Sequence, residues 1–386
     1  MLVGVLESAI LVILTLSVLV IIHELGHFLV AKWAKIKVEE FGLGYPPKIK
    51  TLFRLFGTEF TLNMIPFGGF VRMTGENSSD LKAKERLLPG EFYYASKVKR
   101  LCVIYAGVIT NLIFGVLAFG LVFLQTGIPS VVERPRITEV FPHSSAQLAQ
   151  IPVPVEILGF EVDDKMEGVS DIKSVQDFVA NHSGQKVKLV TTGRCQKLEC
   201  ESVPQKFEIY VRTKEETPAN EGQLGVVFDQ TVLLFYPWHE MIYRSIYHGF
   251  SQAFFLSKLI LETLSQNTGN IFKGEFKNEL AGPIGIVDQV YSIKLFQFDW
   301  LTKISFAGMI SVNLALMNFL PIPPLDGGKG LMTVLEFFIG RRRSLRLENV
   351  LSYGGYFILV GLLVAITAQD LWKIIGRVPA FFGWNV

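Results

Sequence analysis

The residues of this chain whose types and spacing suit chemistry are His23, Glu24 and His27, within His23-Glu24-Leu25-Gly26-His27. Four positions apart on a helix, two imidazoles leave the same face with Cβ atoms about 5 to 6 Å from each other. That separation suits two nitrogen ligands of one Zn2+, with the Glu24 carboxylate beside them as a base for a metal-activated water. Two ordinary histidines on a polar helix end would give the same five letters, so the surroundings decide. Upstream, Ala9 to Ile22 reads AILVILTLSVLVII, and the apolar pattern resumes at Phe28-Leu29-Val30-Ala31. Counted from Leu6, His23 lies about 25 Å along a helix rising about 1.5 Å per residue, inside a hydrocarbon layer of about 30 Å. Ionisable groups at that depth are costly and mark function, which favours a metal site over coincidence.

A catalytic zinc needs a third protein ligand. Trp33 stands six residues beyond His27, where soluble metalloproteases place another histidine. Glu39 and Glu40 sit in Val38 to Gly44, which reads as strand and turn, and rank below Asp326. Asp326 closes Asn318-Phe319-Leu320-Pro321-Ile322-Pro323-Pro324-Leu325-Asp326 and is followed by Gly327-Gly328. The prolines end the preceding apolar helix, and irregular backbone at membrane depth is tolerated only inside protein or along a cavity. Parity brings the halves together. If the first helix crosses, the second returns and the third crosses again, the ends of the first and third share a leaflet, and Asp326 can meet His23 and His27.

These elements belong to a polytopic α-helical membrane protein with about four transmembrane helices. Half of the 386 residues are hydrophobic and the mean hydropathy is +0.38, which fits a membrane protein with a modest soluble part; a net charge of +2 says little about partners, and nucleic-acid binding is not expected. The first apolar run has no basic start and no small-residue cleavage site, so it is expected to be retained as a membrane helix. Lys and Arg crowd Lys32 to Arg100, including Lys82, Lys84 and Arg86, and are absent from Met1 to Ser8. The positive-inside rule then puts that loop in the cytoplasm and the N-terminus outside. Within the loop, Lys48 to Phe53 and Glu59 to Met64 alternate around Phe56-Gly57 as a hairpin.

The reading divides the chain into 1–125 (helices one and two with the hairpin), 126–217 (a mixed extracytoplasmic domain), 218–300 (a linker at Pro218 to Gly225, then amphipathic helices) and 301–386 (helices three and four). Strands are expected at Ile137 to Val140, Lys186 to Thr191 and Lys206 to Val211, with a short helix at Ser174 to Asn181. Trp238 to Leu264 is expected as an amphipathic helix on the outer leaflet. His239 and His248 lack ligand spacing. Asn111, in the second span, needs a hydrogen-bond partner and reads as interhelical glue somewhat more readily than as a functional group. Cys195 and Cys200 flank a hairpin tip and can be paired or free.

Taken together the chain resembles the site-2 protease family, the zinc intramembrane metalloproteases, and is most similar to bacterial members of the RseP type. The resemblance rests on the HELGH run, Phe41 to Lys48, Ile65 to Glu76, Ala106-Gly107 with Asn111, Gly282-Pro283-Ile284-Gly285-Ile286, and Asn318 to Gly328. It departs at Val108, where proline is usual, and at Lys329, where histidine is common. The resemblance implies a Zn2+ held by His23, His27 and Asp326, Glu24 as the catalytic base, and Asn318 and Asn111 as oxyanion or substrate-positioning groups. It further implies a PDZ domain at roughly Arg134 to Thr213 and a membrane-reentrant β-hairpin at Lys48 to Met73 that receives substrate. Substrates would be transmembrane proteins or peptides trimmed beforehand by another protease, such as anti-sigma factors or signal-peptide remnants. The setting would be the lipid of a bacterial inner membrane, with the N-terminus and the PDZ-like domain extracytoplasmic. Two rivals stand beside it. A non-catalytic scaffold binding peptides through the PDZ-like domain would have no use for Glu24, and a metal transporter would need further polar residues along its helices.

Overall fold

The computed structural model describes residues 2–76, 87–196, 199–218, 221–272 and 282–381. Lys82, Lys84 and Arg86 of the basic loop and the tip residues Lys197 and Leu198 lie outside them. Two compact units are formed, one from Met1–Val122 with Ser245–Val386 and the other from Phe123–Arg244.

In the first unit, helix α1 spans Leu2–Trp33. Leu6, Ile10, Leu14 and Val18, each one turn after the last, are all at least half exposed or nearly so (61, 48, 58 and 51%). An apolar stripe open along a helix flank is what lipid contact requires. After α1 come strand β1 (Val38–Leu55) and strand β2 (Thr58–Met73), turning at Phe56-Gly57 as expected. The expected hairpin is only half of the object. Residues 40–43 of β1 pair both with Glu59 to Leu62 and with Gly69 to Arg72. Each strand therefore doubles back, and the two make a four-rung sheet in the order Lys48–Leu55, Thr58–Leu62, Val38–Leu43, Gly69–Met73. Its outer segments are Lys48–Leu55 and Gly69–Met73.

Helix α2 spans Lys97–Thr126. Among the described residues, four helices are long and apolar enough to cross a membrane: Val3–Trp33, Lys97–Thr126, Trp300–Phe319 and Arg341–Lys373. This fits the expected polytopic class.

The second unit is a seven-stranded sheet carrying helices. Its strands are β3 (Ile128–Val140), β4 (Val155–Val162), β5 (Lys165–Gly168), β6 (Lys186–Gln196), β7 (Glu199–Cys200), β8 (Gln205–Tyr210) and β9 (Val226–Leu234). Helix α3 (Ser145–Leu148) and helix α4 (Ile172–Asn181) complete it, the latter closed by an Asp171–Ser174 capping box. The core gathers Ile137, Val155, Ile157, Phe160, Val175 and Leu189. The expected strands and helix form here, with β3 longer than its four-residue forecast. The described part of the linker expected at Pro218 to Gly225 has neither helix nor strand, but it lies inside the second unit and contributes to its core. Leu224 is 2% exposed, and β9, just after it, pairs antiparallel with β3. Alternation in Val226 to Leu234 is broken by Phe228-Asp229-Gln230, which hid the strand. Cys195 and Cys200 face each other across β6 and β7 and form a disulfide.

Helix α5 spans Trp238–Phe272 and, in its first-unit part, packs Gly249 on Gly120 and Val116 of α2. Helix α6 (Pro283–Ser292) is capped from α9 (Arg341–Phe381), where the Asp370 carboxylate accepts from the Gly282 and Gly285 amides. Helix α7 (Trp300–Phe319) leads through the proline turn into helix α8 (Asp326–Ile339), which was not anticipated.

Candidate metal centre

Side chains from the two ends of the chain converge. His23 Nε2 lies 2.9 Å and His27 Nε2 3.3 Å from Asp326 Oδ2, and the two ring nitrogens are 3.1 Å apart. Donor atoms placed about 2.0–2.2 Å from a tetrahedral Zn2+ stand about 3.3–3.6 Å from one another. The triangle is a slightly contracted face of that tetrahedron, so the donor set fits the ion. Orientation agrees. His27 Nδ1 lies 2.8 Å from the Val103 carbonyl oxygen, which can only accept. The ring proton is therefore on Nδ1, and Nε2 turns its lone pair to the cluster. His23 and His27 are both buried, at 7 and 8% exposure.

Small residues make this convergence sterically feasible. A Cβ on Gly26 would lie 2.6 Å from the Ala106 carbonyl oxygen, and one on Gly107 would lie 2.6 Å from Nε2 of both histidines. Helix α2 thus lies directly on the imidazoles. On the other side, Asp326 opens α8, and Gly327 is pressed on the Phe319 and Leu320 carbonyls. That contact fixes where the carboxylate emerges from the proline turn.

Glu24 shares a cavity of about 1080 Å3 with His27 and Asp326, and the same cavity is lined by Phe70, Glu76, Tyr93, Lys329 and Glu348. The Gly69–Met73 segment borders it. A Cβ on Gly69 would come within 3.9 Å of Glu24 Cγ, which places the outer segment of the small sheet beside the carboxylate. Glu76, 2.8 Å from Lys329 Nζ, raises that ammonium above its ordinary range. Burial pushes the Tyr93 hydroxyl up as well.

The structure therefore brings together His23, His27, Asp326 and Glu24. Glu40, the weaker ligand candidate, is engaged elsewhere, accepting from Thr61 and pairing with Arg72. Asn111 is 1% exposed with neither side-chain polar atom hydrogen-bonded, and Asn318 is half-buried at the end of α7. Neither makes a recorded bond to the triad among the described residues. Sequence reasoning gave Gly107 and Gly69 no role at the site. The trace of Gly107 was there, in a small Ala106-Gly107 pair within a span of bulky residues.

Residues 11–362 match Peptidase family M50. The chain belongs to this family. The site-2 protease resemblance is thereby borne out, and with it a protease that works with Zn2+. Across 372 residues it is 29% identical to a Campylobacter jejuni protein, covering 95% of this chain and 93% of that one. A Brucella suis protein is 27% identical over 378 residues, covering 92 and 93%. The names of both contain the words zinc metalloprotease. The zinc metalloprotease RasP of Geobacillus kaustophilus is 23% identical over 445 residues, covering 95 and 98%. Each alignment runs nearly end to end, so the M50 character belongs to the whole chain and not to one segment.

Proposed function

We propose that this M50 peptidase hydrolyses a peptide bond within or beside a membrane-spanning segment of its substrate. The observation that carries the reading is the convergence of His23, His27 and Asp326 on one point beside Glu24, on a helix whose flank is open to lipid. His23, His27 and Asp326 hold the Zn2+. When bound there, the ion supplies Lewis acidity, polarising the scissile carbonyl and making water nucleophilic near neutral pH. Glu24 takes the proton of the attacking water and delivers it to the leaving amine. Asn111 and Asn318 steady the substrate backbone or the developing oxyanion; the two unpartnered polar atoms of buried Asn111 support this.

A helical substrate hides its carbonyls in its own hydrogen bonds, so it must be held extended. The outer edge of Gly69–Met73 has no strand partner among the described residues, and Gly69 within that segment comes close to Glu24. Strand addition there would offer the substrate ladder bonds in exchange for its helical ones. The opposite end of the sheet exposes Ile49, Leu52, Phe53 and Phe56, which suits a hairpin dipping into the bilayer.

The Phe123–Arg244 unit is read as the PDZ-like domain. A cavity of about 470 Å3 between α4 and β9, lined by Val175, Val179, Leu224 and Phe228, suits an extended apolar segment. The Cys195–Cys200 disulfide favours an oxidising compartment for it, in keeping with the charge bias that puts the N-terminus outside a bacterial inner membrane. Membrane-tethered regulators already trimmed outside, or signal-peptide remnants, are the substrate classes that fit.

The test is cleavage of a single-span model substrate with a shortened ectodomain by purified wild type and Glu24→Gln in detergent. Cleavage by wild type, lost with a chelator and at least about 10^3-fold slower in Glu24→Gln while zinc stays bound, supports the reading. Equal cleavage by both removes Glu24 from it.

A further inference from the structure

One cation in the cavity has no part in this chemistry. Lys329 lies a turn beyond Asp326 on α8, with Nζ 2.8 Å from Glu76 Oε1. Its other charged neighbours are Asp326 and Glu348. Glu76 lies three residues beyond Met73, after Thr74-Gly75. The first side of that segment's end is held by backbone: Thr74 N donates to the Lys37 carbonyl, and Phe92 N to the Thr74 carbonyl. The Lys329–Glu76 pair ties the same end to the helix that starts at Asp326.

We infer that Lys329 is a positioning residue: acting through Glu76, it sets the separation between the free edge of Gly69–Met73 and the helix carrying Asp326. This rests on the strand-addition reading above. An extended substrate paired on that edge presents its carbonyl to the cluster only if edge and cluster keep a fixed spacing. The pair is half-buried, so it contributes little to global stability. Geometry is where it counts, because small misplacements of bound substrate are expensive in rate.

The experiment compares full-length wild type, Lys329→Met, Glu76→Gln, the double variant and Lys329→Arg in detergent. It reads cleavage kinetics of the model substrate, zinc content, and hydrogen exchange of the amides at 70–74. Each single loss should lower kcat/KM about five-fold, mainly through kcat, with zinc content unchanged and exchange at 70–74 faster. The double variant should be no worse than either single, since both remove one interaction. Lys329→Arg should restore most of the loss. Glu76→Gln behaving as wild type while Lys329→Met is impaired would overturn the inference, because the lysine would then act without Glu76. Unaltered exchange in both singles would overturn it too. Faster exchange with unchanged kcat and KM would overturn the inference, because the strand-to-helix spacing would then not bear on substrate placement.

Discussion

Replacing Gly107 with alanine should dismantle the metal centre without altering any donor. The added Cβ would sit 2.6 Å from His23 Cε1, His23 Nε2 and His27 Nε2, where ordinary contact begins at 3.4 Å, so the shortfall is 3.4 − 2.6 = 0.8 Å. The rings have little room to yield. Both histidines are buried, His27 is held by the Val103 carbonyl, and α1 and α2 are already in backbone contact at Gly26 and Ala106. Metal–ligand distances tolerate about 0.2 Å, so the displacement is about four times what the site can absorb. Disturbing ligand orientation by far less costs about 10- to 100-fold in metal affinity. Zinc retained per protein after dialysis against graded chelator, in detergent, measures this without reference to activity. Gly354→Ala is the control, because nothing lies within 4 Å of a Cβ there. If Gly107→Ala holds zinc against the same chelator concentration as wild type and Gly354→Ala, the geometry argued for the centre is wrong.

The Arg100–Glu336 pair joins α2 to α8 at 2.6 Å, with side chains 1 and 4% exposed. Glu336→Gln should destabilise the protein by about 3–5 kcal/mol, because it strands a buried guanidinium, and thermal unfolding in detergent should show Arg100→Met/Glu336→Leu to be milder than either single. Of the three cysteines only Cys102 is free, so a membrane-permeant thiol reagent should label one site before reduction and three after; breaking the short Cys195–Cys200 loop should cost at most about 2 kcal/mol. In the second unit, hydrogen bonds from Lys206 and Lys188 hold the Glu161 carboxyl below its ordinary range. A depressed folded-state value makes its contribution present above the unfolded pKa and lost as pH falls through the folded one. Lys206→Met/Lys188→Met should move the Glu161 titration upward by NMR and flatten that part of the acid dependence of unfolding.

How much of the centre was legible depended on whether its signal was local or relational. The four chemical residues could be found because burial of ionisable groups is so costly that His23, Glu24, His27 and Asp326 stand out in apolar surroundings. Counting membrane crossings then sufficed to pair the two halves, and the triad meets within 3.3 Å. Gly107 and Gly69 escaped because a glycine's importance at a close approach is defined by what lies opposite, which a sequence does not display. Strand β9 escaped for a different reason. Its apolar Val226-Val227-Phe228 and Val232-Leu233-Leu234 are separated by three polar residues instead of alternating with them, and its place in the sheet depends on long-range pairing with Ile128 to Val140. Helix α8 was hidden by the prolines and glycines before it, which announce a turn but not the helix that the turn starts.

The doubling of the small sheet decides which of its edges can serve the centre. Adjacent strands lie about 4.8 Å apart, so the two outer segments, three spacings from each other, are separated by about 14 Å. Only one can border the metal. Gly69, in the Gly69–Met73 segment, approaches Glu24, whereas the Lys48–Leu55 segment carries exposed Ile49, Leu52 and Phe53. On the proposed reading the hairpin then divides its labour: one edge would offer backbone groups to an extended chain beside Glu24, and the other apolar side chains to lipid. Glycines at 42, 68 and 69 are consistent with this division. Gly69 would meet the Gly42 carbonyl at 2.7 Å if it bore a Cβ, and Gly68 takes a positive φ of 77°, so larger residues would push the receiving edge away from Glu24. If the chemistry depends on a polar edge brought to Glu24, the fold supplies it by bending a hairpin back on itself.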